Sequence, residues 1–175
     1  DSVFFAATCK KKNISINSFK NSKYKKFVKQ FNDLLLDLAK QIIKDGEGAK
    51  KLISISVKNA KNYLTARNIA LSVANSLLVK TFFSSNELNF GRIFMAIGKS
   101  NELIDQEKIS FSLGNYLIAK NGVLLIRNSS NKIKQYMNKK ELSLEINLNS
   151  GKSQSTVYTC DLTHEYIKIN TNYLS

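Results

Sequence analysis

Residues Leu142–Cys160 read LSLEINLNSGKSQSTVYTC, and this stretch decides the fold. Leu142, Leu144, Ile146 and Leu148 alternate with Ser143, Glu145 and Asn147, the period of a strand with one buried and one wet face. Gly151 turns the chain, and Ser155 to Cys160 returns as the partner strand. The segment beyond, from Asp161, places Tyr166, Ile169 and Tyr173 at helical spacing, so a helix should follow with Asp161 at its cap.

Working back from this hairpin, the chain alternates strands and helices. Asn131–Met137 fits a short helix, and Ile109, Phe111 and Leu113 alternate with serines before meeting Tyr116 and Ile118 across Gly114-Asn115. A short helix fits Phe90–Ile97, with Asn89 as its cap and Gly98 just past its end. Another fits Asn62–Val79 with Ala66, Ile69, Ala70, Val73 and Leu77 inward, followed by Thr81-Phe82-Phe83 as a short buried strand. Ile53, Ile55 and Val57 alternate with Ser54 and Ser56 as a strand. Before it, Phe27, Phe31, Leu34, Leu35, Leu38 and Ile42 form one apolar stripe of a helix over about Phe19–Lys44. Asp45-Gly46-Glu47-Gly48 stops that helix, with Gly46 taking the left-handed conformation. Lys10–Ser22 reads as a basic surface loop, and Ser2–Thr8 (SVFFAAT) as a strand. A chain that opens on Asp1 and runs at once into a strand is expected to be a fragment or a processed product. The pattern predicts one region over residues 1–175 with layered α/β or α+β architecture.

The net charge of +14 raises the alternative of a basic nucleic-acid-binding domain. Against it, the cations are lysines except Arg67, Arg92 and Arg127, whereas base readout favours the planar arginine fork. Tyr24 and Phe27 lie among the densest lysines, but their spacing with Phe31 suits core packing better than base stacking. We therefore expect no nucleic-acid partner. No apolar run approaches the roughly 20 residues that cross a bilayer, so no membrane partner is expected either, and we expect a cytoplasmic location. Cys9 and Cys160 are too few for a disulfide framework and too isolated for a zinc site.

The catalytic inventory is sparse. His164 is the only histidine and reads as a solvated surface residue between Thr163 and Glu165. No zinc, Walker or dinucleotide-binding pattern occurs, and no metal site is expected. Asp45-Gly46-Glu47-Gly48 stands out, because two glycines around a carboxylate allow a sharp bend that exposes Glu47, a natural counter-charge for an ammonium group. The alternative is a plain helix stop. Asn89-Phe90-Gly91-Arg92 either presents backbone N–H groups and a cation to an anion, or is a surface helix entry.

Three elements in this order, KDGEGAKK at Lys44–Lys51, NSLLVKTFF…NFGRIFMAIGKS at Asn75–Ser100 and CDLTHEYIKINTNYLS at Cys160–Ser175, resemble the C-terminal part of the ornithine acetyltransferase family. The chain departs from the family pattern at Phe90, where tryptophan is usual, at Leu77, where proline is common, and at Ser84–Leu88, which lacks an acidic-proline element.

The resemblance implies a layered sandwich of the self-processing, N-terminal-nucleophile kind and an enzyme of arginine biosynthesis. Such enzymes move acetyl from N-acetylornithine to glutamate through an acetyl-threonine, releasing ornithine, and some also accept acetyl-CoA as donor; no cofactor is implied. The family's precursor is cut before the threonine into α and β chains, which assemble as a dimer of α/β pairs. By this resemblance the nucleophile precedes Asp1, no catalytic residue can be assigned here, and the chain should be inactive alone. The family's substrate contacts correspond to Glu47, Asn170 and Ser175. A structural remnant without a catalytic partner is the remaining alternative.

Overall fold

The computed structural model describes residues 2–8, 10, 22–85, 87–125 and 131–172. It divides into two compact units, residues 1–39 and 40–175. In the first, helix α1 (Lys25–Lys44, running on into the second unit) follows a single 3-10 turn, and Phe27 stacks on Phe31 at 5.9 Å between ring centroids. Its apolar stripe is present, but no residue of α1 is buried and Phe27 is 48% exposed. Residues 2–8 form no strand; they are exposed, and the Phe5 and Phe31 ring centroids lie 6.0 Å apart. A strand needs a neighbouring ladder to pair its backbone groups, and among the described residues no strand pairs with this segment. Most of the expected basic loop, residues 11–21, lies outside the described residues.

The second unit is built on strands β1 (Leu52–Ala60), β2 (Ser110–Leu113), β3 (Tyr116–Lys120), β4 (Val123–Leu124), β5 (Glu141–Asn147) and β6 (Ser153–Cys160). Among the described residues these form one mixed sheet in the order β4-β3-β2-β5-β1-β6. The expected hairpin of β5 with β6 does not form. β1 lies between them, parallel to β5 with Ile55 opposite Leu144, and antiparallel to β6 with Ile55 opposite Val157. The reason is burial: Ile53, Ile55 and Val57 are fully buried, and a strand so apolar on one face is most stable paired on both edges. The β5–β6 connection must then pass over the end of β1. Gly151 makes that possible, since a Cβ there would stand 2.3 Å from the Ala60 carbonyl oxygen.

Helices α2 (Tyr63–Ala74), α3 (Leu77–Ser84) and α4 (Gly91–Gly98) supply the apolar cover of this sheet. Small buried residues, Ala66, Ala70 and Ala74, let α2 approach the strands closely, and the Asn62 side chain caps it by accepting from the Thr65 N–H at 2.8 Å. The long helix expected to run to Val79 breaks at Asn75. Ser76 then caps α3, its hydroxyl accepting from the Val79 N–H, so Thr81-Phe82-Phe83 is helical and not a strand. Val79, Phe82 and Phe83 are all 0% exposed, at the three- and four-residue spacing of one helix face. Asn89 does not cap α4 through its side chain; Phe90 holds the cap position, and Gly98 is the last helical residue.

The β2–β3 hairpin is as expected, with Gly114 at φ 54° in its turn. Strand β4 extends the hairpin through a second turn at Asn121-Gly122, both at positive φ, a strong hairpin signal in the sequence. Helix α5 (Asn131–Met137) buries Ile133 and Met137, and α6 (His164–Thr171) follows β6 with no buried residue. The opposite face of the sheet is polar, carrying Ser54, Ser56, Glu145 and Thr156, with Ser56 and Thr156 hydroxyls 2.8 Å apart and Lys58 paired with Glu145 at 2.6 Å.

Candidate functional site

Helix α1 ends at Lys44, and the chain reverses through Asp45-Gly46-Glu47-Gly48, with the Ala49 N–H returning to the Gly46 carbonyl at 2.9 Å. The left-handed residue is Gly48, at φ 68°, and not Gly46 as the sequence suggested. Gly48 is required for a second reason: a Cβ at this position would lie 2.5 Å from the Tyr166 backbone nitrogen. The bend is therefore seated on the first turn of α6. Glu47, beside it, remains exposed.

Two further contacts join this loop to the β6–α6 junction. Thr163 donates its hydroxyl to the Gly48 carbonyl at 2.7 Å. Asp161 is 3% exposed, and its Oδ1 accepts from the backbone N–H groups of both Lys50 and Lys51 at 2.9 Å, while its Oδ2 is buried with no hydrogen-bond partner. Asp161 thus does not cap α6, as its position after a strand suggested. Thr163 occupies that cap position, and the Asp161 carboxylate binds a loop 110 residues earlier. Lys51 extends to the Phe83 carbonyl at the end of α3, 2.5 Å away. Burial lowers the Lys51 ammonium pKa from its ordinary value, opposed by the charge of Asp161.

In the last turn of α6, Asn170 donates through Nδ2 to Glu47 Oε2 at 2.7 Å and to the Tyr166 carbonyl at 2.9 Å. The structure therefore brings together Glu47 and Asn170, two of the three residues singled out in the sequence. Ser175 and Tyr173 lie outside the described residues. With both Nδ2 hydrogens engaged, Asn170 retains only its carbonyl oxygen as a free valence, and Glu47 offers only carboxylate oxygens. A pair presenting acceptors alone suits a donor-only ligand group such as an ammonium.

The other sequence candidates go elsewhere. Arg92 is engaged by α3, its guanidinium donating to the Thr81 hydroxyl at 3.0 Å and to the Leu78 carbonyl at 3.3 Å. It braces two helices against each other. His164 is exposed, and Cys160 is a partly buried free thiol. Among the described residues, no group of His, Cys, Asp and Glu is placed to hold a metal ion, and no helix is long and apolar enough to cross a membrane. Sequence reading missed Asp161, Thr163 and Lys51 as parts of this loop. The only available signal was Asp161 itself, an acidic residue directly after an apolar strand.

The described fold resembles a known one. The crystal structure of the arginine biosynthesis bifunctional protein ArgJ from Bacillus halodurans superposes with a TM-score of 0.83 at 33% identity, covering 89% of this chain and 73% of that one. Arginine biosynthesis bifunctional proteins ArgJ from Bradyrhizobium diazoefficiens and Gluconobacter oxydans are 41% identical over 160 residues and 39% identical over 175, covering 91% and 100% of this chain. The chain spans about two fifths of the length of these two relatives, 39% and 41%. The model of the ArgJ family matches residues 1–175. Alike in sequence from end to end and in mixed α/β architecture, the chain belongs to the ArgJ family.

Proposed function

We propose that this chain is the C-terminal portion of the β chain of a glutamate N-acetyltransferase, which passes acetyl from N-acetylornithine to glutamate through an acetyl-threonine. The observation that carries this reading is the 2.7 Å contact of Glu47 with Asn170. Both were singled out as substrate contacts from separate sequence elements, and their joint surface of acceptors matches the ammonium end of an amino acid such as ornithine. Ser175 is proposed as the third contact. The threonine nucleophile and the groups that stabilise the developing oxyanion belong, in this reading, to the longer protein.

The 175-residue chain alone is then inactive, works with an α chain from the same precursor in a dimer of α/β pairs, and is cytoplasmic. Glu47 takes no part in bond making; it binds and orients the substrate's amino-acid end so that the acetyl group reaches the nucleophile. The test is acetyl transfer from N-acetylornithine to glutamate by the complete protein carrying Glu47→Gln. A KM for N-acetylornithine raised roughly tenfold or more supports the reading. Unchanged kinetics, or transfer by the 175-residue chain alone, overturns it.

A further inference from the structure

We propose that Asp161 is a positioning residue for substrate binding: its buried carboxylate holds the Lys50 and Lys51 amides so that the Gly46–Gly48 bend presents Glu47 to Asn170. This inference rests on the substrate-binding reading of Glu47 above.

Glu47 lies in an exposed bend, and its flanking glycines leave the backbone many alternative conformations. Such a bend does not hold a side chain at hydrogen-bond distance from a helix unless something else fixes it. The structure holds it at two points, both on the segment leading into α6. The Asp161 Oδ1 receives two N–H groups just after the bend, at 2.9 Å each, and the Thr163 hydroxyl reaches the Gly48 carbonyl at 2.7 Å. Because Asp161, Thr163 and Asn170 belong to one short continuous stretch, these contacts register the loop against the helix that carries Asn170.

The chemical type of the clamp also matters. A carboxylate oxygen accepts two N–H bonds more strongly than a neutral oxygen, because the acceptor is charged. Yet its second oxygen is buried without a partner, a cost that an apolar side chain would avoid. A residue chosen only to fill this space would not carry that penalty. The carboxylate is explained by what it holds, the loop that ends in Lys51, whose ammonium in turn reaches the Phe83 carbonyl of α3.

Asp161 is not expected to touch substrate, so its loss acts on binding geometry and not on the chemical step. The experiment uses the complete protein with four variants: Glu47→Gln, Asp161→Ala, Asp161→Asn and Thr163→Val. Asp161→Asn keeps an oxygen for the two amides, and Thr163→Val removes the second tether while keeping a similar shape. The proposal expects Asp161→Ala and Thr163→Val each to raise KM for N-acetylornithine roughly tenfold with kcat within about threefold of the parent, and Asp161→Asn to recover most of that loss.

If Asp161→Ala does not yield folded protein, Thr163→Val and Asp161→Asn carry the test, the first raising KM and the second staying near the parent. A KM unchanged in Thr163→Val, or a fall in kcat with KM constant in the Asp161 variants, overturns the positioning role while Glu47→Gln still reports on the site. An unchanged KM in Glu47→Gln removes the substrate-binding reading and the positioning role with it.

Discussion

Asn170 and Glu47, 123 residues apart in the chain, meet in a hydrogen bond of 2.7 Å between Nδ2 and Oε2. The same amide also donates to the Tyr166 carbonyl one turn earlier in α6, which aims the side chain. The carboxylate is thus oriented by a group whose own direction is set by its helix. If both act on one ligand group, their effects cannot be independent. A double-mutant cycle of Glu47→Gln and Asn170→Ala in the complete protein should show a coupling of about 1 kcal/mol in kcat/KM for N-acetylornithine. Strict additivity of the two losses would place these residues in separate roles.

Gly48 combines a left-handed backbone with contact against α6, since a Cβ there would stand 2.5 Å from the Tyr166 nitrogen. A side chain suffers both the strain of φ 68° and the clash. Gly48→Ala should destabilise the protein by about 2 kcal/mol or more and weaken substrate binding as well, because relief of the clash pushes the Glu47 loop off the helix. Thermal unfolding and steady-state kinetics measured on the same preparation check this. A variant with parental stability contradicts the packing described here.

Gly151 is needed for space alone, because it lies outside the residues with positive φ. Its Cβ would meet the Ala60 carbonyl at 2.3 Å where the β5–β6 connection crosses β1. Gly151→Ala should therefore cost about 1–3 kcal/mol by overpacking while leaving KM near the parental value, as the crossing lies at the far end of β6 from the Glu47 loop. Chemical denaturation gives the first number and initial rates the second.

Lys51 makes stability depend on pH in a defined direction. Burial lowers its folded pKa below the ordinary 10.5, so between those two values the unfolded chain binds more protons than the folded one. In that window stability rises with pH; below it, both states are protonated and the desolvation cost is fully present. Lys51→Met removes the titration. The melting temperature of the parent relative to Lys51→Met should then climb as pH approaches 10.5, and a flat difference across the alkaline range would refute the assignment.

The elements themselves were legible where the cause is local. Ile53, Ile55 and Val57 advertise a strand by alternation, and Ala66, Ile69, Ala70 and Val73 advertise a helix by their period, because each pattern reflects which neighbours within a few residues share a face. The Thr81-Phe82-Phe83 error has a local cause too. Asn75-Ser76 is a helix stop and restart, and once Ser76 is taken as a cap, Val79, Phe82 and Phe83 fall on one face. The lateral order of strands was not legible. Leu142–Leu148 and Ser155–Cys160 look like a hairpin because they are adjacent in sequence, yet β1 separates them, since pairing that apolar strand on both edges buries more surface than leaving it at the rim.

By itself, the sequence determined the alternation of strands and helices, the glycine-flanked bend that exposes Glu47, and, through its three motifs, the family to which the chain belongs. Only the tertiary structure decided that β1 runs between β5 and β6, that Asp161 binds the Lys50–Lys51 amides instead of capping a helix, and that Glu47 reaches Asn170. The division has one physical reason. Backbone preference and side-chain periodicity act over three or four residues, whereas a buried carboxylate or a paired strand edge takes its partner from whatever the packed sheet brings alongside, about a hundred residues away in these cases.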